Sequence, residues 1–554
     1  MFMCWAMSCL VHSTVLAATQ PNAGSLQQQM QSGRDLLPPT PPQTSSMPAA
    51  QRKPTAKAGT LVVVSQFNWV GNSLYNNEVL NGLTNDLLNR PLAFAELEAA
   101  AVTVANHYRS AGYVVLTRLP TQDIVNGVVT IEIMEASFGK VVMDGPSSKR
   151  VDASRIEETI YAVQPSGAKL NAHNIDRALA ILSDLAGIRV QGRLLPSTAS
   201  GLTDFVVSTQ DAPSSVFDTS LDNAGARSTG QNRATFGWTL NSPLGLGDQF
   251  NANVMSSRGS DFLRAAYQWP VGLTGWTLQA HASRMNYSAP LASESAGLVS
   301  RLHLTGRADA YGLETSYPLS TRHRFKLQSV MGLDVKNYIN QRDASMVSSY
   351  QTRTFNLGLK GQTADSWAGG GLSSWQLSRT NGVLQNKIDN DSNLLAGRYA
   401  KLKYAFNRFQ EINQHWSWHV ALNGQSSKTL LDASENFYLG GMNGVRAYPS
   451  SEGGGSGGQL LNLELRHQSS GNVTWFAFYD QGQVLVNPSG SEVLNRYALK
   501  GHGFGWSHTG AKGLNVKAMV ARRLGHNPNP TATGQDQDGS LVLNRFWLSA
   551  SLPF

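Results

Sequence analysis

One arginine and one aspartate are the ionisable residues best placed in this sequence to make a specific contact. Arg446 lies in a glycine-rich segment that ends in the run 453–458, and Asp480 ends an apolar run that begins at Trp475. A guanidinium and a carboxylate can form two parallel hydrogen bonds. Such a pair would fix a loop onto a strand. The alternative is a surface arginine and a turn aspartate that do not meet.

The glycine run 453–458 also matches two enzyme motifs, G-x-S-x-G and G-x-G-x-x-G. Neither match lies between a strand and a helix, as the chemistry of both motifs requires. A glycine-rich loop is the simpler explanation. The 12 histidines are scattered, without a ligand spacing such as H-E-x-x-H. We therefore predict no enzyme activity, no metal site and no cofactor.

The elements that must position Arg446 and Asp480 alternate apolar and polar residues from about residue 214 to the end of the chain. Period two gives a strand one apolar and one polar face, but a soluble sandwich has the same period. Two examples are the segment before Asp480 and the final segment. The first places Val473, Trp475, Ala477 and Tyr479 opposite Thr474, Phe476, Phe478 and Asp480, and the second places Phe546, Leu548, Ala550, Leu552 and Phe554 on one face.

Three observations favour a membrane barrel over a soluble sandwich. The pattern runs for ~340 residues in segments near the ~10 residues of a barrel strand. Tryptophan and tyrosine stand at segment ends, and the chain ends in an aromatic residue on the apolar face. At ~20 residues per strand and loop we expect about 16 antiparallel strands, an even number. Because a charge facing lipid is costly, Asp480 should face the lumen, with Glu464 a second lumen candidate.

The composition agrees with an all-β membrane protein. Of 554 residues only 15% are charged, whereas soluble domains have roughly 25%. Hydrophobic residues make up 41%, too many for a disordered chain. No run approaches ~18 consecutive apolar residues, which argues against a helical membrane protein. The net charge of +8 would favour contact with acidic lipopolysaccharide.

The N-terminal region precedes the folded part of the chain. Residues 1–18 are apolar and end in small residues, as a signal peptide does. The alternatives are a buried N-terminal element and a lipoprotein anchor at Cys9, which lacks the usual aliphatic residue three positions before it. Both cysteines, Cys4 and Cys9, would leave with the signal. Residues 25–37 can form a short helix that prolines end, and 38–58 read as a linker.

Two similar units follow, at residues 59–138 and 139–213, and form an internal repeat. Each combines strands with one or two helices. In the first unit we expect strands at 61–64, 113–116 and 128–133 and a helix at 93–109. In the second we expect strands at 140–143, 188–195 and 205–208 and helices at 153–163 and 172–185.

This sequence resembles the outer-membrane transporters of two-partner secretion, of the haemolysin secretion/activation type. The resemblance rests on two motifs that occur in the same order as in that family. That family has Val-Arg-Gly-Tyr on a loop folded into its barrel and Phe-x-Asp-x-Gly on a later strand. This sequence has Phe478, Asp480 and Gly482 in the second motif, and Val445, Arg446, Ala447 and Tyr448 in the first. Alanine replaces the family glycine at 447, which would restrict the backbone there.

The resemblance covers the chain after the signal and implies its organisation. Residues 19–37 would be a plug helix, 59–138 and 139–213 two periplasmic polypeptide-transport-associated (POTRA) domains, and 214–554 the transmembrane barrel. The protein would export one unfolded exoprotein that carries an N-terminal secretion domain.

The implied partners are that exoprotein, outer-membrane lipid and lipopolysaccharide, and the barrel assembly machinery. The machinery would read a C-terminal signal at Leu552 and Phe554. Nucleic acid is not an expected partner. The alternatives are a barrel-protein assembly factor, which usually carries more periplasmic domains, and a passive porin or adhesin barrel, which would not explain the two repeats. A third alternative is an outer-membrane hydrolase, but this sequence contains no recognisable catalytic set.

Overall fold

The computed structural model of the chain describes residues 22–32, 61–199, 201–295, 298–322, 324–388, 395–469, 471–490 and 494–554. The predicted signal peptide, the predicted linker and the last residues of the predicted plug helix lie outside these ranges. In the described ranges, every helix is too short or too polar to cross a bilayer.

The first α/β domain packs a long helix on a three-stranded sheet. One face of α3 buries Leu97, Val104 and Tyr108 at helical spacing. In the sheet order β2-β5-β4, β2 and β5 run parallel and β4 runs antiparallel to β5. The elements up to this point are α1 (Ala23–Ser32), β1 (Val62–Val63), β2 (Gln66–Val70), α2 (Asn77–Gly82), β3 (Pro91–Leu92), α3 (Phe94–Ser110), β4 (Val115–Arg118) and β5 (Val128–Glu135).

The start of this domain differs from the expected strand at 61–64. Only Val62–Val63 form a strand there, and it pairs with β3 outside the main sheet. The sheet strand is β2, in which Phe67 and Trp69 are buried while the residues between and beside them are exposed. Alternating aromatic and non-aromatic residues give β2 an inner face. The run 61–64 also turns Val62 and Val64 towards the core, but its strand pairs only with β3.

The second α/β domain repeats this topology. Its sheet order is β6-β8-β7. The central strand β8 runs parallel to β6 and antiparallel to β7, as β5 does with β2 and β4 in the first domain. Two helices cover one face of the sheet, and Ile156, Ile160, Leu179 and Leu182 fill the core. The elements are β6 (Ser137–Asp144), α4 (Ala153–Val163), α5 (Ala172–Ser183), β7 (Ile188–Pro196) and β8 (Leu202–Asp211).

Glu135 joins the two domains. Its carboxylate accepts hydrogen bonds from the Ser73 and Leu74 amides (2.8 and 2.9 Å) and the Tyr108 hydroxyl (3.0 Å). It also pairs with Lys169 of the second domain at 3.1 Å. Burial alone would raise the pKa of Glu135, but the hydrogen bonds from Ser73 and Leu74 outweigh it and lower the pKa to about 2. The junction is therefore built around a charged carboxylate.

Sixteen antiparallel strands close into a barrel, which confirms the expected number and pairing. The last strand, β26, pairs with the first, β9. Two short strands, β20 and β21, lie in one loop and pair with each other. The strands are β9 (Ser215–Asp222), β10 (Arg233–Asn241), β11 (Gln249–Ser257), β12 (Ser260–Val271), β13 (Trp276–Ser295), β14 (Leu298–Arg322), β15 (Phe325–Arg342), β16 (Ser345–Asp365), β17 (Gly371–Asn386), β18 (Gly397–Glu411), β19 (Trp416–Ser427), β20 (Phe437–Tyr438), β21 (Gly454–Gly455), β22 (Gly457–Gln468), β23 (Val473–Leu485), β24 (Arg496–Thr509), β25 (Asn515–Arg523) and β26 (Asn544–Pro553).

The barrel strands alternate between an outer apolar face and the lumen. In β23, Trp475 is 49% exposed on the outside, whereas Phe476 and Phe478 are 5% exposed inside. In β26, Phe546 is 52% exposed and Trp547 only 3%. Closure leaves the barrel without a free sheet edge, as a lipid surround requires.

The second domain contacts one end of the barrel through the turn between β10 and β11. The Ser242 hydroxyl donates to the Arg150 carbonyl at 2.7 Å. The Ala186 amide donates to the Gly247 carbonyl at 3.0 Å. These contacts place the α/β domains at the end of the barrel where the chain enters β9.

Candidate functional site

The loop between β19 and β22, residues 428–456, folds into the barrel lumen. We call it the lumen loop. Leu439, Val445, Ala447 and Tyr448 of this loop are fully buried. They form one apolar cluster with inward side chains of β22–β26, including Leu460, Phe476, Phe478, Leu499, Met519 and Trp547. Burial of this cluster holds the loop against one side of the barrel wall.

Arg446 and Asp480 meet at the centre of this contact. Arg446 Nε donates to Asp480 Oδ2 at 2.8 Å, and Nη2 donates to Oδ1 at 2.6 Å. The Arg446 backbone amide adds a third bond to Oδ2, at 3.0 Å. Asn462 on β22 donates to Oδ1 at 2.8 Å. Both members of the ion pair are buried, with Asp480 0% and Arg446 3% exposed.

Glu464 and Phe478 complete the surroundings of the guanidinium. Arg446 Nη1 lies 2.5 Å from Glu464 Oε1, and Arg466 donates to the other Glu464 oxygen at 2.6 Å. The Phe478 ring lies under the guanidinium, 3.6 Å from Cζ to the ring centroid. Each of the three guanidinium nitrogens therefore has a carboxylate partner, and the ring covers one face of the group.

The other motif residues shape the loop itself. A Cβ at Gly482 would lie 2.6 Å from Leu439 Cδ2, so glycine lets the loop approach β23 closely. The Trp547 indole donates to the Arg446 carbonyl at 2.8 Å. The Arg523 guanidinium lies over the Tyr448 ring, with Cζ 4.7 Å from the ring centroid.

Ala447, which replaces the family glycine, causes no backbone strain. It is not among the described residues with positive φ. Its side chain occupies the space over Gly501, where a second Cβ would approach to 2.6 Å. The expected local change at the loop tip is thus a matter of packing against β24.

A second ionic cluster, which the sequence did not indicate, holds the first part of the lumen loop. Glu435 is 3% exposed and pairs with Lys401 of β18 at 2.6 Å and Lys336 of β15 at 3.2 Å. Next to it, the Tyr350 hydroxyl of β16 donates to Asp432 at 2.9 Å. The lumen loop is therefore anchored to two parts of the wall, to β15 and β18 through Glu435 and to β22 and β23 through Arg446.

Helix α1 lies inside the lumen beside the loop. Ala23 and Leu26 are buried, and the Ala23 amide donates to Asn340 of β15 at 2.9 Å. A Cβ at Gly24 would lie 2.6 Å from the Ser434 Cβ of the loop. Gln29 donates to the Ser451 hydroxyl at 2.7 Å. Helix and loop together fill much of the lumen and leave a cavity of about 500 Å³ between them.

Leu552 and Phe554 lie away from this cluster, at the seam of the barrel. Phe554 exchanges backbone hydrogen bonds with Phe217 at 2.8 and 2.9 Å, and their rings stack at 5.7 Å. Phe554 is 64% exposed. The C-terminal residues therefore complete the closing strand pair.

A closed barrel with an inward loop and a lumen helix, preceded by two α/β domains, defines an outer-membrane transport barrel. The sequence model of the haemolysin secretion/activation protein family ShlB/FhaC/HecB matches residues 201–508, more than half of the chain. The model of the ShlB-type POTRA domain matches residues 62–136. The chain therefore belongs to the haemolysin secretion/activation family.

Relatives and solved structures agree with this assignment. The heme/hemopexin transporter protein HuxB of Haemophilus influenzae is 22% identical over 98% of this chain and 96% of its own. The outer membrane transporter CdiB of Dickeya dadantii is 22% identical over 77% of both chains. The structure of CdiB from Escherichia coli covers 96% of this chain and 98% of its own with a TM-score of 0.76 at 18% identity, and so shares the fold.

The family assignment sets the location and the general activity. The protein is an outer-membrane transporter of two-partner secretion, with its POTRA region in the periplasm. Members of the family are transporters and not enzymes. The barrel end that contacts the second α/β domain is consequently the periplasmic end.

Proposed function

We propose that this chain exports one large exoprotein, in unfolded form, through the barrel lumen. The observation that carries this proposal is that two separable elements, α1 and the lumen loop, fill the lumen. Both are held by hydrogen bonds, ion pairs and side-chain packing. When both leave, the barrel becomes an open channel. The roles of 19–37 as plug and 38–58 as linker, and the removal of 1–18 as a signal, are part of this proposal.

The exoprotein first binds the periplasmic domains, at 59–138 and 139–213, by strand addition. Strand β2 is an edge of its sheet, so its outer backbone groups are available to an extended segment. Helix α2 lies beside it, joined by the bond from Trp69 Nε1 to Asn81 Oδ1 at 2.7 Å. The groove between α2 and β2 is the proposed docking site for the secretion domain.

Arg446, with Asp480 and Glu464, sets the resting position of the lumen loop. Val445 and Tyr448 bury the loop beside the arginine, and Phe478 and Gly482 form the wall against which it packs. Movement of the loop requires Arg446 to leave both carboxylates, which costs free energy unless new partners replace them. The arriving polypeptide, rich in backbone hydrogen-bonding groups, supplies those partners.

The remaining partners act on the outside of the barrel. The exposed Phe554, with Leu552 on the same face, forms the C-terminal signal for the barrel assembly machinery. Lipid contacts the outer leucine and aromatic side chains, and lipopolysaccharide contacts the basic surface. Nucleic acid has no role in this proposal, and neither do a catalytic centre, a metal or a cofactor.

Charge reversal at the central pair tests the loop's role. Arg446→Asp and Asp480→Arg should each reduce export of the exoprotein into the medium. From sequence, the double reversal is expected to restore part of it. The structure adds a condition, because Glu464, which now pairs with the guanidinium at 2.5 Å, would lose its Arg446 partner. Restoration should therefore require Glu464→Gln as well; full export by either single variant would contradict the proposal.

A further inference from the structure

Two cavities, of about 320 and 290 Å³, lie on either side of Asp184 at the periplasmic mouth of the barrel. Asp184 directly follows α5 of the second α/β domain. Gln328 and Lys360 line both cavities, so the two are parts of one depression. We call it the entrance groove, and its wall carries Gln268, Gln279, Glu314, Gln328, Lys360 and Gln376.

The polar residues of the groove form two rows across neighbouring strands. Gln328, Lys360 and Gln376 lie opposite one another on β15, β16 and β17. Gln268, Gln279 and Glu314 do so on β12, β13 and β14. The side chains of each row point into the lumen, and the residues next to them along each strand point out to lipid. The outward neighbours include three leucines, with Leu313 50%, Leu359 37% and Leu377 44% exposed.

The amides in these rows are unengaged. Within the part of the chain that the structure describes, no side-chain hydrogen bond joins Gln268, Gln279, Gln328 or Gln376 to another residue. In the middle of the lumen, by contrast, every guanidinium nitrogen of Arg446 donates to a carboxylate. Each free amide offers two donors and an acceptor, the same groups that an extended backbone needs.

The groove lies beside a weak contact between the second domain and the barrel. Lys326 of β15 and Asp184 approach to 3.6 Å, with their side chains 31% and 41% exposed. A pair this exposed contributes little to stability. This ion pair therefore adds little to the contact between the domain and the wall, which rests instead on bonds such as those of Arg177 to Tyr317 and Arg155 to the Gly272 carbonyl.

We propose that the entrance groove binds the extended polypeptide as it passes from the POTRA domains into the barrel. This rests on the proposed export function. Backbone N–H and C=O groups of the passing chain hydrogen-bond to the glutamine amides. Because the groove wall has few apolar side chains, it holds no particular sequence tightly, and successive segments bind in turn.

Site-specific photo-cross-linking tests the path. A benzophenone residue replaces Gln328 in the groove, Asn253 in the central lumen cavity, or Leu359 on the lipid face. The full-length transporter is expressed with its exoprotein, stalled by fusion to a domain that folds before passage. Cross-links to the exoprotein are expected from Gln328 and Asn253 and not from Leu359. Cross-links from Asn253 without Gln328 would overturn the groove and leave the lumen path standing. Cross-links from neither, or from Leu359 alone, would overturn the lumen path itself.

A matched pair of triple variants tests the chemistry. Changing Gln279, Gln328 and Gln376 to leucine removes three amides, and changing them to asparagine keeps them. The leucine variant should export about tenfold less exoprotein when the exoprotein is limiting, since three modest hydrogen bonds are lost. The asparagine variant should export more than the leucine variant because it keeps the three amides, with heat-modifiable gel migration showing that both barrels fold. Equal export by the two variants would refute binding through the amides.

Discussion

Replacement of Asp480 by asparagine should release the lumen loop, because it removes one charge from a buried pair. An asparagine oxygen at the Oδ2 position keeps the bonds from the Arg446 amide and Nε. The amide nitrogen then takes the place of Oδ1, which now accepts from Arg446 Nη2 at 2.6 Å and from Asn462 at 2.8 Å. Two bonds to a charged oxygen are replaced by contacts between donors.

The free-energy cost follows from those two bonds. A hydrogen bond to a charged group contributes about 1.5–3 kcal/mol. Glu464 remains next to the guanidinium at 2.5 Å and retains part of the charge pairing. We therefore expect the seated loop to lose about 3 kcal/mol relative to the released loop, which raises the released population about 100-fold.

Cysteine labelling measures that population. Val445 is 0% exposed beside the pair, so Val445→Cys should react with a membrane-impermeant maleimide only when the loop leaves the wall. In intact cells, Asp480→Asn should accelerate labelling about 100-fold. Labelling of the protein without the introduced cysteine gives the background.

Asp309→Asn is the matched control. Asp309 on β14 pairs with Arg284 at 2.6 Å and Arg307 at 2.5 Å, away from the lumen loop. The same loss of charge there should leave Val445→Cys labelling unchanged. If Asp480→Asn and Asp309→Asn label at the same rate, the ion pair does not hold the loop and the reasoning fails.

Three further predictions concern the plug, the loop turn and the domain junction. Gly24→Leu should prevent α1 from seating, because the first added carbon would already lie 2.6 Å from the Ser434 Cβ; the expected result is higher conductance in planar bilayers. Gly444→Ala should unseat the loop, since its Cβ would lie 2.0 Å from the Leu439 carbonyl oxygen, and Val445→Cys labelling should rise. The lowered pKa of Glu135 means that its charged form stabilises the first domain fully above pH 4.5, and that this stabilisation is lost as pH falls towards about 2. Hydrogen exchange of α3 in the full-length protein should show protection falling through that range.

Each of these predictions has a control at a comparable position. Gly82→Leu changes a glycine with no atom within 4 Å of its Cβ direction and should not alter conductance. Gly332→Ala on β15 meets its nearest neighbour at an ordinary 3.6 Å and should not alter labelling. Glu135→Gln should remove the pH dependence between 4.5 and about 2. If a test protein and its control gave the same conductance, labelling or hydrogen exchange, the contact concerned would not have the effect predicted for it.

The sequence predicts the barrel well because pleated strands encode their environment residue by residue. Trp475 and Phe476 are both aromatic, yet period two assigns one to lipid and the other to the lumen, as found. The charge of Asp480 marks the inner face, since a carboxylate has no place in lipid. Both inferences use only neighbouring residues of one strand, so no knowledge of the tertiary structure is needed for them.

Contacts between distant elements are not predictable in this way. Glu435 meets Lys336 across 99 residues of sequence, and no motif marks either residue. Both would be satisfied equally well by water at a surface, and only closure of the barrel brings them together. The predicted strand at 61–64 is limited to Val62–Val63 for a related reason. Its apolar pattern fits a strand locally, but only pairing with distant segments decides that Gln66–Val70 joins β5 in the sheet while Val62–Val63 pair with β3.

The most direct test of the account is a comparison of what the cell loses when this transporter is deleted. Quantitative proteomics of the culture supernatant and of the outer membrane should be made with the native chain, without it, and with the chain restored from a plasmid. We expect one large exoprotein to disappear from the supernatant and to return on restoration, while the outer-membrane barrel proteins stay unchanged. A general loss of barrel proteins with unchanged exoproteins would instead indicate an assembly factor and would contradict the central claim.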